Sequence, residues 1–327
     1  MSAAPTLSVV LPCLNEGTHL ARSLASIGQV LDGLGVTYEL VVVDDGSTDD
    51  TWAVLRAFAA EHPRLHALRL SRRFGKELAL TAGLERARGA AVLVMDADLQ
   101  HPPELIPEMI RAWRDEGFEV VEARKGRRGD EPVLARLGAR LFYPLFRRLA
   151  GIDLAGASDF KLLDRKVLDA WARMGERNVF FRGMSAWLGF RRKELAFEVA
   201  PRAGGRSGWS LWRLLRLAVH GITAYSTAPL HVITAMGFVF LAFAGVLGVQ
   251  TLYNKLYGHA ETGFTTVIVL VLIVGSMIMM GLGVIGLYVS RIYEEVKGRP
   301  RTVVAEDIGG VAEAPAREPV PRASGNP

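Results

Sequence analysis

"VLVMDADLQHPPE", Val92–Glu104, is an apolar run that stops at two acids with one alanine between them, followed by a Pro-Pro turn. An apolar run without alternation reads as a strand covered on both faces, the kind found in mostly parallel sheets. Acids at the end of such a strand lie at the carboxyl edge, where open α/β sheets bind their ligands. On an extended strand positions i and i+2 face one side, so the carboxylates of Asp96 and Asp98 are expected to converge. Like charges that close raise each other's pKa unless a cation compensates. Mg²⁺ typically takes one or two carboxylates and fills its remaining positions with water and substrate phosphates. The pair therefore points to a divalent metal and a diphosphate, although two solvated turn acids would leave the same trace.

Residues on either side repeat the pattern. Candidate strands at Leu7–Leu11, Tyr38–Val43, Leu65–Leu70, Ala91–Met95 and Glu119–Ala123 alternate with helical patterns near Gly17–Leu34, Asp49–Glu61, Lys76–Arg88 and Glu104–Glu116. This order predicts an α/β domain with a mostly parallel sheet covered on both faces. Three other strand ends also deliver polar groups to the carboxyl edge: "PCLNE" (Pro12–Glu16), "VVVDDGSTDD" (Val41–Asp50) and "SRRFGKELALTAGL" (Ser71–Leu84). Asp45 suits a base N–H or a ribose hydroxyl. Ser47 or Thr48 could cap the next helix instead. Lys76 is either a phosphate contact or a solvated lysine.

Two runs near the C-terminus, Pro229–Tyr253 and Thr265–Val289, contain no Asp, Glu, Lys or Arg. A bilayer core needs roughly 20 apolar residues of helix, and both runs suffice. Their link, "NKLYGHAETGF", carries less positive charge than the flanks "WRLLRL" and "RIYEEVKGRPR", which predicts a hairpin with both ends in the cytoplasm. "GLGVIG" (Gly281–Gly286) inside the second run imitates a dinucleotide fingerprint. It follows no strand, so helix packing accounts for its glycines. The stretches 134–150 and 209–226 set Leu, Phe and Trp against Arg and read as interfacial helices. Expected boundaries are a catalytic domain over 1–208, a juxtamembrane helix over 209–228, two spans over 229–290 and a cytoplasmic tail over 291–327. From Thr302 onward the Ala, Pro, Gly and Glu content suggests disorder.

Composition narrows the choices. The 327 residues are 50% hydrophobic, enough for a sizeable core plus membrane segments, and the net charge of +5 suits an anionic surface or substrate without requiring one. One cysteine, Cys13, excludes an internal disulfide framework, and the seven histidines show no zinc spacing. No basic region precedes the first short apolar run, so the N-terminal part is expected to stay in the cytoplasm.

"LPCLNE", "VVVDDGSTDD", "LSRRFGKELALTAGLERARG" and "VMDADLQHPPELI" occur in the order and approximate spacing of the family 2 glycosyltransferases. "SDFKLLDR" (Ser158–Arg165), "NVFFRGMSAWLGF" (Asn178–Phe190), "PRAGGRSGW" (Pro201–Trp209) and "RIYEEVKGRPR" extend the likeness over about residues 6–301. Within that family the chain resembles the bacterial polyprenyl-phosphate glycosyltransferases related to dolichol-phosphate mannose synthase. The resemblance implies a GT-A fold, built on a Rossmann-like sheet, with Mg²⁺ or Mn²⁺ as cofactor. It also implies transfer of a sugar from a nucleotide-sugar donor, UDP-linked, to polyprenyl phosphate. Such chemistry takes place at the cytoplasmic face of a bacterial inner membrane, in a homo-oligomer with no nucleic-acid partner.

By that resemblance Pro12, Asn15, Glu16, Val43 and Asp45 would hold the nucleoside, and Lys76 stays a candidate for the donor phosphates on its position alone. Asp96 and Asp98 would hold the metal, and Asp96, Ala97, Arg124 and Arg202 the donor diphosphate. Asp98 and Asp159 would be the catalytic acids. The chain departs from its kin in Ser158 for a usual glycine, Val199 for a usual arginine and Gly208 for a usual lysine. Arg206 is a candidate replacement for one lost cation. Arg127 and Arg128, in "RKGRRGD", are candidates for the acceptor phosphate, or a basic loop meeting water or anionic lipid.

A phosphate monoester has a second pKa near 6 and is already largely anionic at neutral pH. It needs little from a general base, so Asp159 is expected to orient groups or stabilise the reacting carbon, with inversion there. A processive polysaccharide synthase would carry a QxxRW motif, which is absent from the sequence. The intact Asp-Ala-Asp motif argues against a catalytically inert lipid-phosphate adaptor on the same fold, while the cations missing at Val199 and Gly208 slightly favour one.

Overall fold

The computed structural model describes residues 5–98, 100–125, 144, 148, 158–174, 176, 180–197, 226–257 and 264–309. The strands are β1 (Leu7–Cys13), β2 (Tyr38–Asp44), β3 (Leu65–Leu70), β4 (Ala91–Val94), β5 (Val120–Lys125), β6 (Lys161–Asp164), β7 (Arg192–Phe197) and β8 (Val304–Ile308). They form one sheet of order β7-β5-β6-β4-β1-β2-β3-β8. The pairs β1–β2, β2–β3, β1–β4 and β5–β7 are parallel, while β6 and β8 run antiparallel to their neighbours. This is the mostly parallel sheet expected of a GT-A domain.

Helices α1 (Leu20–Asp32), α2 (Thr51–Glu61), α3 (Lys76–Arg86), α4 (Ile106–Arg114), α5 (Arg165–Ala172) and α6 (Phe181–Trp187) accompany the sheet. Alternation within strands divides the core between the two faces. Leu7, Val9 and Leu11 of β1 pack with Leu20, Leu24, Ile27 and Leu31 of α1, whose spacing makes one helical stripe. Val10 turns to the opposite face, with Leu80 and Leu84 of α3 and with Trp171 and Phe181. A Cβ on Gly83 would lie 2.4 Å from Val10 Cγ1, so glycine here sets the close approach of α3 to the sheet.

The connection order creates the cleft. From β1 the chain runs outward through β2 and β3, then crosses back to place β4 on the other side of β1. Loops after β1 and β4 therefore leave in opposite directions and open a crevice at the switch point. Pro12–Glu16 and Asp96–Asp98 are the segments that leave there. Because β6 is antiparallel, it enters the sheet from this same edge, with Lys161 opposite Val94. Asp159, just before it, is delivered to the crevice.

Two long helices follow, α7 (Ala228–Leu256) and α8 (Phe264–Val296). Both are long and apolar enough to cross a membrane. Phe238, Leu241, Val246, Ile278 and Met279 are among the large apolar side chains they leave exposed. Tyr288 on α8 donates to the Ser226 carbonyl at 2.7 Å, joining the two beside the start of α7.

The tail departs from expectation. Residues 304–308 were expected to be disordered but form β8, antiparallel to β3 on its outer edge. Composition across the whole tail hid a short segment whose acids find cations. Glu306 pairs with Arg69, and Asp307 with His66 and Arg86. The amphipathic stretches at 134–150 and 209–226 lie outside the described residues, apart from the isolated positions 144, 148 and 226.

Candidate active site

Strand β2 ends in two acids with different partners. The buried Asp45 carboxylate accepts from the backbone N–H of Phe74 at 2.7 Å and of Gly75 at 2.9 Å. Asp45 was expected to face a nucleoside, yet its carboxylate holds the loop between β3 and α3. Asp44 Oδ1 accepts from Ser47 N at 2.9 Å. Ser47 Oγ then receives Asn15 N at 2.9 Å, and Asn15 Oδ1 receives Thr48 N at 3.0 Å. Neither Ser47 nor Thr48 caps α2, whose N-cap residue is Asp50. Their polar atoms instead tie the β2 loop to Asn15, which adopts φ 56°, a region Asn tolerates better than most residues. Pro12 and Val43 are buried partners in adjacent strands beneath these loops.

At β4 the expected geometry needs correction. The strand stops at Val94, and Ala97 and Asp98 lie in a turn. The i, i+2 rule of extended chain therefore does not apply to Asp96 and Asp98. The turn is fixed by Gln100 N donating to Asp98 Oδ1 at 3.0 Å and by Asp96 N donating to His101 Nδ1 at 3.0 Å. That acceptor role leaves the ring proton of a neutral His101 on Nε2. His101 is buried and stacks on Phe160 with centroids 5.0 Å apart. Both acids still address one space. Burial first, then the charge of Asp98, raises the Glu16 pKa, with Asp96 adding to it and His19 opposing. Carboxylates gathered at one edge, with Asp96 and Asp98 close enough to act on Glu16, suit a divalent cation. Among the described residues, however, no group of three His, Cys, Asp or Glu has metal-holding geometry. A metal here would take Asp96 and Asp98 and look to its substrate for further ligands.

Lys76 is engaged by two acids of the cleft. From the first turn of α3 its ammonium lies 2.6 Å from Asp96 Oδ1 and 2.7 Å from Asp159 Oδ2. Burial works against this charge, but Asp159 and Asp96 outweigh it and raise its pKa. Arg182, at the start of α6, grips Asp159 with two bonds, Nε to Oδ1 at 2.7 Å and Nη2 to Oδ2 at 2.9 Å. Burial alone would raise the Asp159 pKa. The Arg182 pair, with Lys76 beside it, reverses that and holds the carboxyl well below the ordinary range. Asp159 is nearly enclosed, whereas Lys76 and Arg182 are 44% and 40% exposed. A buried anion thus presents two cations to the cleft.

Arg182 and His101 were not among the expected site residues, although both stand inside segments that carried the family likeness. Arg124 sits at the carboxyl edge on β5 and is ion-paired with Glu194 on β7. Ser158, the departure from glycine, is accommodated: its hydroxyl donates to the Ala123 carbonyl and accepts from Phe160 N at 3.2 Å. Arg127, Arg128, Val199, Arg202, Arg206 and Gly208 lie outside the described residues. A cleft of about 380 Å³ lined by Leu84, Arg165, Trp171 and Arg301 contains none of these edge residues.

A switch-point crevice that brings an Asp-Ala-Asp turn and two cations together can receive an anionic ligand. The chain belongs to glycosyl transferase family 2, whose profile matches residues 8–171. An uncharacterized glycosyltransferase of Synechocystis sp. is 38% identical over 314 residues, covering 94% of this chain and 97% of that protein. The bactoprenol glucosyl transferase of Shigella phage SfII is 33% identical over 306 residues, covering 93% and 99%. Among solved structures, glucosyl-3-phosphoglycerate synthase from Mycobacterium tuberculosis, in complex with UDP, is 24% identical with a TM-score of 0.45. That match covers 68% of this chain and 80% of the other and is too loose to transfer residues.

Proposed function

We propose that the protein transfers a sugar from a UDP-linked donor to polyprenyl phosphate, with inversion, at the cytoplasmic face of a bacterial membrane. The observation that carries this reading is the double lock on Asp159 by Lys76 and Arg182. A carboxylate held ionised by two cations is a poor general base, because its affinity for a proton has been removed. The acceptor must then arrive with its nucleophilic oxygen already anionic. A phosphate monoester does so at neutral pH, whereas a sugar hydroxyl does not. The relatives named as bactoprenol glucosyl transferases support the same acceptor.

In the proposed step an acceptor phosphate oxygen attacks the anomeric carbon. The bond from that carbon to the donor diphosphate breaks, and its electron pair leaves with the nucleotide. Asp159 stays ionised and holds Lys76 and Arg182 where anionic donor and acceptor must meet. The loops at Asn15, Ser47 and Asp45 would shape the nucleoside end of the site. Asp96 and Asp98 would hold Mg²⁺ or Mn²⁺, which when bound would neutralise charge on the departing diphosphate. Arg127, Arg128, Arg202 and Arg206 remain proposed phosphate ligands, and Arg124 would need to leave Glu194 to serve as one.

Helices α7 and α8 fit the acceptor. Their exposed apolar surface has no partner in water but matches lipid tails, and an isoprenoid substrate resides in that layer. Membranes carrying the protein should convert undecaprenyl phosphate and one of a panel of radiolabelled nucleotide sugars into a charged lipid product. Chelator should abolish that conversion. Undiminished transfer in chelator would remove the metal, and hydrolysis or transfer only to hydroxyl acceptors would remove the phosphate acceptor.

A further inference from the structure

The strand β8 follows α8 by seven residues, 297–303, and lies against the edge of β3. Protection of an exposed edge is the ordinary use of such a strand. Its side chains, however, form a row that leads into the crevice. Asp44 of β2 is in register with Arg69 of β3, and Arg69 with Glu306 of β8. Acid, base and acid thus stand side by side across three strands, a favourable order for cross-strand pairs. Arg69 Nη1 donates to Glu306 Oε1 at 3.1 Å, and its Nε lies 3.6 Å from Asp44 Oδ2.

Asp44 is fully buried, and its Oδ2 receives no hydrogen bond. A buried carboxylate oxygen without a donor depends on a neighbouring cation. Its other oxygen holds Ser47 N, and Ser47 holds Asn15. A second connection runs beside the first. Ser71 N donates to the Val303 carbonyl at 2.9 Å, where the loop begins whose Phe74 and Gly75 N–H groups hold Asp45. The two loops are packed tightly: Gly46 has φ +71°, and a Cβ there would lie 2.6 Å from the carbonyl carbon of Arg72.

We propose that Arg69, held by Glu306 of the returning strand, is a positioning residue for the nucleoside end of the donor site. The segment leaving the second membrane-length helix thereby sets donor affinity. This rests on the reading of the β1–β2 edge as the nucleoside subsite. Arg69 acts through Asp44 and the Ser47 turn, so its effect belongs to donor binding rather than to transfer of the sugar.

Glu306→Gln and Asp307→Asn in the full-length protein separate this role from simple edge protection. Glu306 belongs to the Asp44 row, while Asp307, its neighbour on β8, pairs with His66 of β3 and Arg86 of α3. Glu306→Gln is expected to raise the Kd for UDP with Mn²⁺, and the donor KM, roughly two- to five-fold, the scale of a half-exposed ion pair. The kcat and the acceptor KM should not move. Arg69→Gln, which strips the cation from buried Asp44, should weaken UDP roughly tenfold or more. Asp307→Asn should leave UDP binding at the wild-type value.

Amide exchange provides a readout independent of any nucleotide: Ser47 N–H should exchange faster in Glu306→Gln and not in Asp307→Asn. Equal effects of the two variants, or unchanged exchange at Ser47 in Glu306→Gln, overturn the proposal. Failure of the wild type to bind UDP would overturn the donor reading, while exchange at Ser47 would still decide whether Arg69 and Glu306 organise the turn.

Discussion

Strands β2 and β4 both deliver two carboxylates to the same edge of the sheet, and the structure treats them in opposite ways. Asp44 and Asp45 are buried, and the chain itself supplies their partners: the N–H groups of Ser47, Phe74 and Gly75, with Arg69 alongside. Asp96 and Asp98 face the cleft, and the strongest partner of Asp96 is an ammonium on a flexible stem. Backbone donors cannot be withdrawn without moving a loop. A lysine can swing away when a metal or a phosphate arrives. One acid pair is therefore built into the cleft wall, while the other keeps a partner that can be exchanged.

Exchanging the acids one at a time breaks or confirms this division. Asp98→Asn should lower transfer by about a thousandfold or more, some 4 kcal/mol in the barrier, with little change in melting temperature. Asp45→Asn should do the reverse in kind, replacing a carboxylate oxygen that accepts backbone N–H groups and costing roughly 1–3 kcal/mol of stability. Steady-state transfer and differential scanning fluorimetry on the same two preparations test both. If Asp45→Asn abolished transfer while the fold stayed intact, the β2 pair would be part of the chemistry and the contrast would fail.

Asp159 lies between the two regimes, since it is buried but held by side chains. Its replacement by Asn should reduce transfer by about a hundredfold, because Lys76 and Arg182 lose the anion that aims them. Its stability effect has a defined pH dependence. The folded-state pKa is held below the unfolded value of about 3.9, so the charged form stabilises the fold above that pH. That contribution is lost as pH falls through the folded pKa. The gap in melting temperature between wild type and Asp159→Asn should therefore be full at pH 7 and shrink below about pH 4. A gap that grew in acid would mean that Asp159 is protonated in the native cleft and available as an acid.

What the sequence disclosed, and what it hid, follows from the range of each interaction. Strands β1 to β4 were legible because each is a short apolar run ended by turn chemistry, and their direction followed from the helices between them. The site's loops were legible for the same reason, being the polar ends of those runs. The Asp159–Lys76 pair spans 83 residues, and no local period reports it. The partnership of Arg182 with Asp159 depends on β6 entering the sheet antiparallel, which no helix announces. Convergence of Asp96 and Asp98 by strand geometry would need an extended chain through both, but β4 ends at Val94, two residues before Asp96. Strand β8 was masked by averaging its five residues with the Ala- and Pro-rich sequence beyond them.

The smallest expected effect tests the closed side of the comparison. Cys13 ends β1 in register with Asp44 and is buried, its Sγ 3.5 Å from the Val43 carbonyl. Burial pushes the thiol pKa well up, and Asp44 and Glu16 push it further. A thiol in that position holds little thiolate near neutral pH and is reached by reagents only when the loops above it open. Iodoacetamide at pH 8 should leave the folded protein unlabelled, and Cys13→Ala should change transfer by less than about twofold, since a buried thiol acts mainly as packing. Rapid alkylation of native protein would mean that the Asn15–Ser47 turn stands open in solution. The β2 acids would then belong to a movable wall, and the difference from β4 would be one of degree.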